Sequence, residues 1–224
     1  MGVVGTARSS TFVNRRQAAN FTPAIAFAET LGRPLNWFVT LNFHHTACEA
    51  ELVGPAFEKL RDNHYTRWLR YQGQRPLARK HGEATYVWVV ENASGHTHVH
   101  WMVHVPRALI RDFKTKVPEW TATVSGSDEV HPGAIHIEPI DGPVGLGKYL
   151  LKGIDPRVAK MHRIDHQPQG LVRGKRCGVS KCLGKTARER HAASLISAQK
   201  QQSEAAPRAP NMTGRPAEVP MGLT

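Results

Sequence analysis

Residues 94–106 read SGHTHVHWMVHVP and carry histidines at 96, 98, 100 and 104. Side chains alternate along an extended chain, so a strand here puts His96, His98, His100 and His104 on one face. Thr97, Val99, Trp101, Val103 and Val105 occupy the other, which is apolar enough to pack against helices. Just upstream, ATYVWVVE (84–91) is dense in β-branched and aromatic residues and reads as a strand, and NASG (92–95) as a short turn, so the two strands form a hairpin.

The hairpin sits inside a regular succession of elements. TPAIAFAETLGRP (22–34) reads as a helix capped by Thr22, with Pro23 in its first turn and Gly32 as its stop. NWFVTLNFH (36–44) reads as a strand with Trp37, Val39, Leu41 and Phe43 on one face and Phe38, Thr40 and Asn42 on the other. Phe57, Leu60, His64 and Trp68 recur at helical spacing between about Pro55 and Tyr71. RALIRDFKTK (107–116) predicts another helix, GAIHIEPI (133–140) a strand, and GPVGLGKYLLKG (142–153) a short helix opened by Pro143 and closed by Gly153. The order β-α-β-β-α-β predicts an α+β fold of the ferredoxin-like, split β-α-β type: a central antiparallel sheet, helices on one face, and the histidines on the other, bare face. Residues 1–22 read as a flexible arm, 23–184 as the domain with a basic C-terminal extension, and 185–224 as a helical and then disordered tail.

The chain has 224 residues, with Lys and Arg exceeding Asp and Glu by 30 to 18, a net charge of +12. A soluble chain this basic points to a polyanion, nucleic acid first. Ten Lys/Arg against Asp165 and Glu189 lie between Arg157 and Arg190, and Arg173, Lys175, Arg176 and Lys181 are the candidate DNA contacts. Three cysteines, no membrane-length apolar run and no signal-peptide pattern predict a cytoplasmic protein without a membrane partner. Trp37, Trp68, Trp88 and Trp101 fall at core positions, and Cys48 reads as a free thiol.

Two histidines at i and i+2 on one strand can grip one cation. With a turn at 92–95, Glu91 faces His96 and lies diagonal to His98, close enough to share a metal; a slip of one residue would send it to the other face. Two imidazoles and a carboxylate suit Mg²⁺ or Mn²⁺ and accept Zn²⁺ or Co²⁺. In KYLLK (148–152), Tyr149 and Lys152 are three apart on one helical face. A second metal reading is a structural zinc site from Cys177, Cys182, His162 and His166.

FVTLNF (38–43), HVHWMV (98–103) and KYLLK, in that order, resemble the three motifs of the HUH superfamily of single-strand DNA endonucleases, and rolling-circle replication initiators of plasmids and phages in particular. GLVRGKRCGVSKCLG (170–184) looks like the basic segment that follows the tyrosine motif in some bacterial initiators. The resemblance implies His98 and His100 as metal ligands with Glu91 or His96 as the third, Mg²⁺ or Mn²⁺ as cofactor, Tyr149 as nucleophile and Lys152 as the cation that positions or neutralises the phosphate. His104 falls outside the set as a surface or structural residue. The implied partners are single-stranded or locally melted origin DNA, a separate helicase, since no G-x-x-x-x-G-K-[ST] is present, and a host polymerase. Transposases and relaxases share the motifs. A non-catalytic nucleic-acid-binding module would use the basic residues without Tyr149.

Overall fold

The computed structural model describes residues 9–74 and 83–205. Its elements are β1 (Ser9–Ser10), α1 (Arg15–Thr30), β2 (Trp37–Asn42), α2 (Val53–Lys59), a π-helical stretch (Leu60–Tyr65), α3 (Thr66–Gln74), β3 (Tyr86–Glu91), β4 (His98–Val103), α4 (Ile110–Ser125), β5 (Ile135–Pro139), α5 (Pro143–Leu150), the single turn α6 (Pro156–Ala159), β6 (Val172–Arg173), β7 (Cys177–Val179) and α7 (Lys185–Ala205). The sheet and its helices form one unit ending at Arg188, and α7 beyond it is a polar helix with exposed side chains. Residues 1–8 of the arm expected at 1–22, and residues 206–224 of the tail expected at 185–224, lie outside the described residues.

The fold is α+β, built on a five-stranded sheet of order β5-β2-β4-β3-β7 in which all neighbours run antiparallel. β4, the histidine strand, is inserted between β2 and β3. Its register sets two faces. Trp101 lies between Val39 and Trp88, and Val99 between Leu41 and Val90. That face is buried beneath α2, the π-helical stretch, α3 and α4 through Phe57, Leu60, Tyr65, Leu69, Phe113 and Trp120. Tyr65 secures the layer by donating its hydroxyl to the His104 carbonyl at 2.8 Å.

The other face is not bare, which corrects the expectation of helices on one side only. Phe38, Val87, Val89 and Met102 pack there against Ala18, Phe21, Ile25 and Ala28 of α1, and against Leu150, Leu151 and Ile154. The reason lies in the start of α1. The helix begins at Arg15, not Thr22, because Asn14 and Gln17 form a capping box: Asn14 Oδ1 accepts from the Gln17 amide at 2.9 Å, and Gln17 Oε1 accepts from the Asn14 amide at 3.0 Å. Pro23 therefore sits inside the helix, and residues 15–22 of the supposed arm belong to a helix that packs in the core. Full burial of Phe21 alone contributes about 1.5–3 kcal/mol. α1 also seats α5: a Cβ on Gly147 would meet the end of the Ile25 side chain, so the glycine leaves room for Ile25 between the two helices.

A strap from Gln167 to Arg176 closes the far end of β3. The Asn92 amide donates to the Gln169 carbonyl at 2.9 Å, and Val90 to Arg176 at 2.6 Å. Gly170 has φ +64, and a Cβ there would strike the Asn92 carbonyl. Arg176 is 1% exposed and its guanidinium donates to the carbonyls of Ser10, Gln169 and Gly170. It is a structural bolt between the strap and β1, which corrects its assignment as a DNA contact. Arg176→Met should lower the unfolding free energy by roughly 2–3 kcal/mol, because charge-assisted bonds are lost and buried carbonyls are left unpaired. A shift of the urea midpoint at unchanged slope would show it; an unshifted midpoint would return Arg176 to the surface.

Candidate metal centre

The hairpin loop is wider than NASG alone suggests. A 3₁₀ turn at Ala93–Gly95, with positive φ at Ser94 and Gly95, lets the strands pair only from His98 onward. Glu91 is therefore opposite His98, not His96. The shift from the expected register is two residues, an even number, so Glu91 keeps the histidine face. Its Oε2 lies 3.1 Å from His98 Nε2 and 3.5 Å from His100 Nε2. The three side chains form a group whose ligand atoms all lie within 4.8 Å of one another. His96 turns away and stacks on His44 at 4.7 Å.

Both imidazoles are oriented from behind. His98 Nδ1 is 2.9 Å from the His96 carbonyl and must donate to it. His100 Nδ1 is 3.0 Å from Thr40 Oγ1, the residue opposite it on β2. Phe38 stacks on the His100 ring at 5.2 Å. The two Nε2 atoms are thereby left facing Glu91, the arrangement that outer partners impose on metal-binding histidines.

The electrostatics are those of a cation site. Glu91 is 1% exposed. Burial pushes its carboxyl up, but bonds from His100 and His98 and the charge of Lys152 outweigh that and hold it well below the usual carboxylate range. Burial holds His100 below its ordinary value despite Glu91, which favours the neutral, ligating imidazole. With Nδ1–H of His98 committed to a carbonyl, a neutral His98 sets a lone pair against Glu91 Oε2, two acceptors that need a cation or proton between them. Glu91 Oε1 is buried and has no hydrogen-bond partner among the described residues. One oxygen and two imidazole nitrogens fit a divalent metal ion on each count.

Tyr149 is 52% exposed at the mouth of this group, its ring 6.5 Å from that of His100. α5 ends at Leu150, so Lys152 belongs to the turn after the helix, not to the helix itself; its amide still bonds the Tyr149 carbonyl at 3.0 Å. Lys152 Nζ sits 4.1 Å from the Tyr149 ring centroid and 3.0 Å from Glu91 Oε2. Burial opposes its charge, but Tyr149 and Glu91 together raise its pKa.

The basic residues are not gathered here. Exposed Arg173 pairs with Glu51 at 3.6 Å. Lys175 lies over Trp88, on the opposite sheet face from Glu91. Lys181 lines a groove with Asp62, Arg70 and Glu83 at the Tyr86 end of β3, about 16 Å along the strand from Glu91. The zinc reading is corrected as well. The Cys177 thiol is buried and pushed up to about 12, His166 Nδ1 bonds the Ile154 carbonyl, and these residues form no ligand group among the described residues. His104 is structural, bonding the Pro34 carbonyl. The orienting role of Thr40 escaped the sequence reading, since only strand register reveals what lies opposite His100.

Isothermal titration with Mn²⁺ should show one site that His98→Ala and Glu91→Ala remove. Thr40→Val should weaken it about 10- to 100-fold with the fold unchanged by circular dichroism. Undiminished Mn²⁺ binding by His98→Ala would exclude this group as the site. Compared with known protein families and with curated proteins, the chain matches none, so its chemistry is read from its own residues.

Proposed function

We propose that the protein nicks single-stranded DNA by tyrosine transesterification, as a replication initiator of the rolling-circle type. One observation carries the reading. The end of α5, with Tyr149, and the turn after it, with Lys152, pack against Glu91, His98 and His100, which come from a separate hairpin, with Lys152 Nζ 3.0 Å from Glu91 and the Tyr149 ring beside His100. The motifs that resemble the HUH superfamily in sequence thus converge at one place.

Tyr149 Oη attacks the phosphorus of a phosphodiester, and the P–O3′ bond breaks. The products are a 5′-phosphotyrosyl linkage and a free 3′-OH, which takes up the proton lost by the phenol. One ester replaces another, so the strand can be rejoined. A phenol with an ordinary pKa near 10 is a poor nucleophile at neutral pH. The Lys152 ammonium lies 4.1 Å from the centre of its ring, a positive charge beside the reacting group. The exposure of Tyr149 lets a flexible single strand reach it. A divalent cation, Mg²⁺ or Mn²⁺, held by Glu91, His98 and His100 would supply polarisation of a non-bridging phosphate oxygen. A helicase and a host polymerase would act on the product in the cytoplasm; among the described residues, no helix is long and apolar enough to cross a membrane. A transposase or relaxase would use the same chemistry on a different DNA.

The Lys152–Glu91 ion pair favours one second reading. It neutralises the carboxylate within the chain, as a non-catalytic binding module would require.

End-labelled single-stranded origin DNA incubated with the protein and Mn²⁺ should give an adduct stable in SDS. EDTA should abolish it, and Tyr149→Phe should reduce it at least roughly a thousandfold, as loss of a covalent nucleophile does. An adduct that persists in Tyr149→Phe would move the nucleophile elsewhere. Salt-sensitive binding with no adduct on any strand would establish the binding module instead.

A further inference from the structure

Beside the metal group lies a feature that the proposed chemistry does not use. His44, His45, His96 and His131 are all exposed, and their rings form a continuous run. His96 stacks on His44 at 4.7 Å, His44 lies against His45 at 4.0 Å, and His45 stacks on His131 at 5.0 Å. They come from three separate loops, and those loops are pinned. Thr46 Oγ1 bonds the Phe43 carbonyl at 2.7 Å, Asn42 Nδ2 the Gly133 carbonyl at 2.8 Å, and the Ala47 amide donates to Ser127 Oγ at 3.0 Å. The His131 ring accepts from the Gly133 amide. His96 is tied to the metal group through its carbonyl, which holds His98. At the other end, His131 borders a groove of about 310 Å³ whose walls include Pro118, Val130, Pro132 and Ile135, with Lys114 at its side.

We infer that this imidazole run is a stacking platform for the unpaired bases of a single DNA strand, leading the strand from the Lys114 groove to the metal centre. The inference rests on the strand-nicking reading above and specifies how its substrate is held. Flat aromatic faces exposed side by side are what unpaired bases stack on, and histidine serves in this role beside Phe, Tyr and Trp. The bases of a duplex are already stacked on one another, so a platform of this kind selects single strands. The groove adds apolar walls and one ammonium, which match a base and its phosphate. The run is not a second metal site: among the described residues, no three of these rings bring ligand nitrogens together as Glu91, His98 and His100 do.

The test measures binding of a fluorescent oligothymidylate of about 12 nucleotides to the full chain by anisotropy, in EDTA and at fixed salt. His45 and His96 are the residues to change. Replacing both by Ala should weaken binding about five- to a hundredfold. Replacing both by Phe should restore it, because stacking needs a ring and not a nitrogen. On a strand of abasic sites, the Ala and wild-type proteins should bind alike. Unweakened binding by the Ala protein, or a Phe protein no better than the Ala protein, would overturn the platform while leaving the nicking reading intact. Failure of the wild-type protein to bind any single strand would overturn both. Thermal melting of each variant confirms that the fold is kept.

Discussion

The arrangement turns on one buried charge. Glu91 ends β3 almost wholly out of water, where an uncompensated carboxylate would cost several kcal/mol. Everything nearby answers that cost. Two imidazoles present Nε2 to it, and Lys152 reaches it from another element. The strap bonds the Asn92 and Val90 amides on either side of it, and the strap is itself held by Arg176. Groups that meet around one carboxylate are thus drawn from the central hairpin and the turn after α5, while the segment beyond α6 braces the backbone on either side of it.

Much of the sheet was legible in the sequence because strand parity is robust. The alternation in β4 placed Val99, Trp101 and Val103 in the core and His98 and His100 opposite, and the structure agrees. The error in hairpin register did no harm, since a two-residue shift leaves every side chain on its face. The second helical layer was harder to read. Thr22-Pro23 carries a strong helix-start signal, whereas Asn14 and Gln17 form a weaker one in a polar setting. Nothing local reveals that tertiary packing on Phe38 and Met102 extends the helix back to Arg15 and keeps Pro23 within it.

The candidate site divides along the same line. Glu91, His98, His100, Tyr149 and Lys152 could be named from motif spacing, and the structure brings them together. The basic residues could not be placed, because charge density along a chain says nothing of direction in space. Arg176 shows this most plainly. In sequence it is one of several cations between Arg173 and Lys181, yet its neighbours are backbone carbonyls in the interior. Thr40 shows the converse: an unremarkable polar residue on β2 acquires a role only because register sets it across from His100.

Lys152 is the residue whose position changes the reading most. Beside a phosphate it would neutralise substrate; against Glu91 it neutralises the site itself. The carboxylate then has a covalently tethered counter-charge, so the buried group can form as the chain folds without waiting for an ion. A structural zinc site has no such counter-charge, and its folding depends on the metal. The asymmetry of the carboxylate fits the same logic. Oε2 is crowded by two histidines and a lysine, while Oε1 is buried with no partner among the described residues. The chain therefore supplies enough charge to stabilise the site and still leaves one oxygen with unused coordinating capacity. The same ammonium lies against the ring of Tyr149, so one side chain touches both the carboxylate and the phenol.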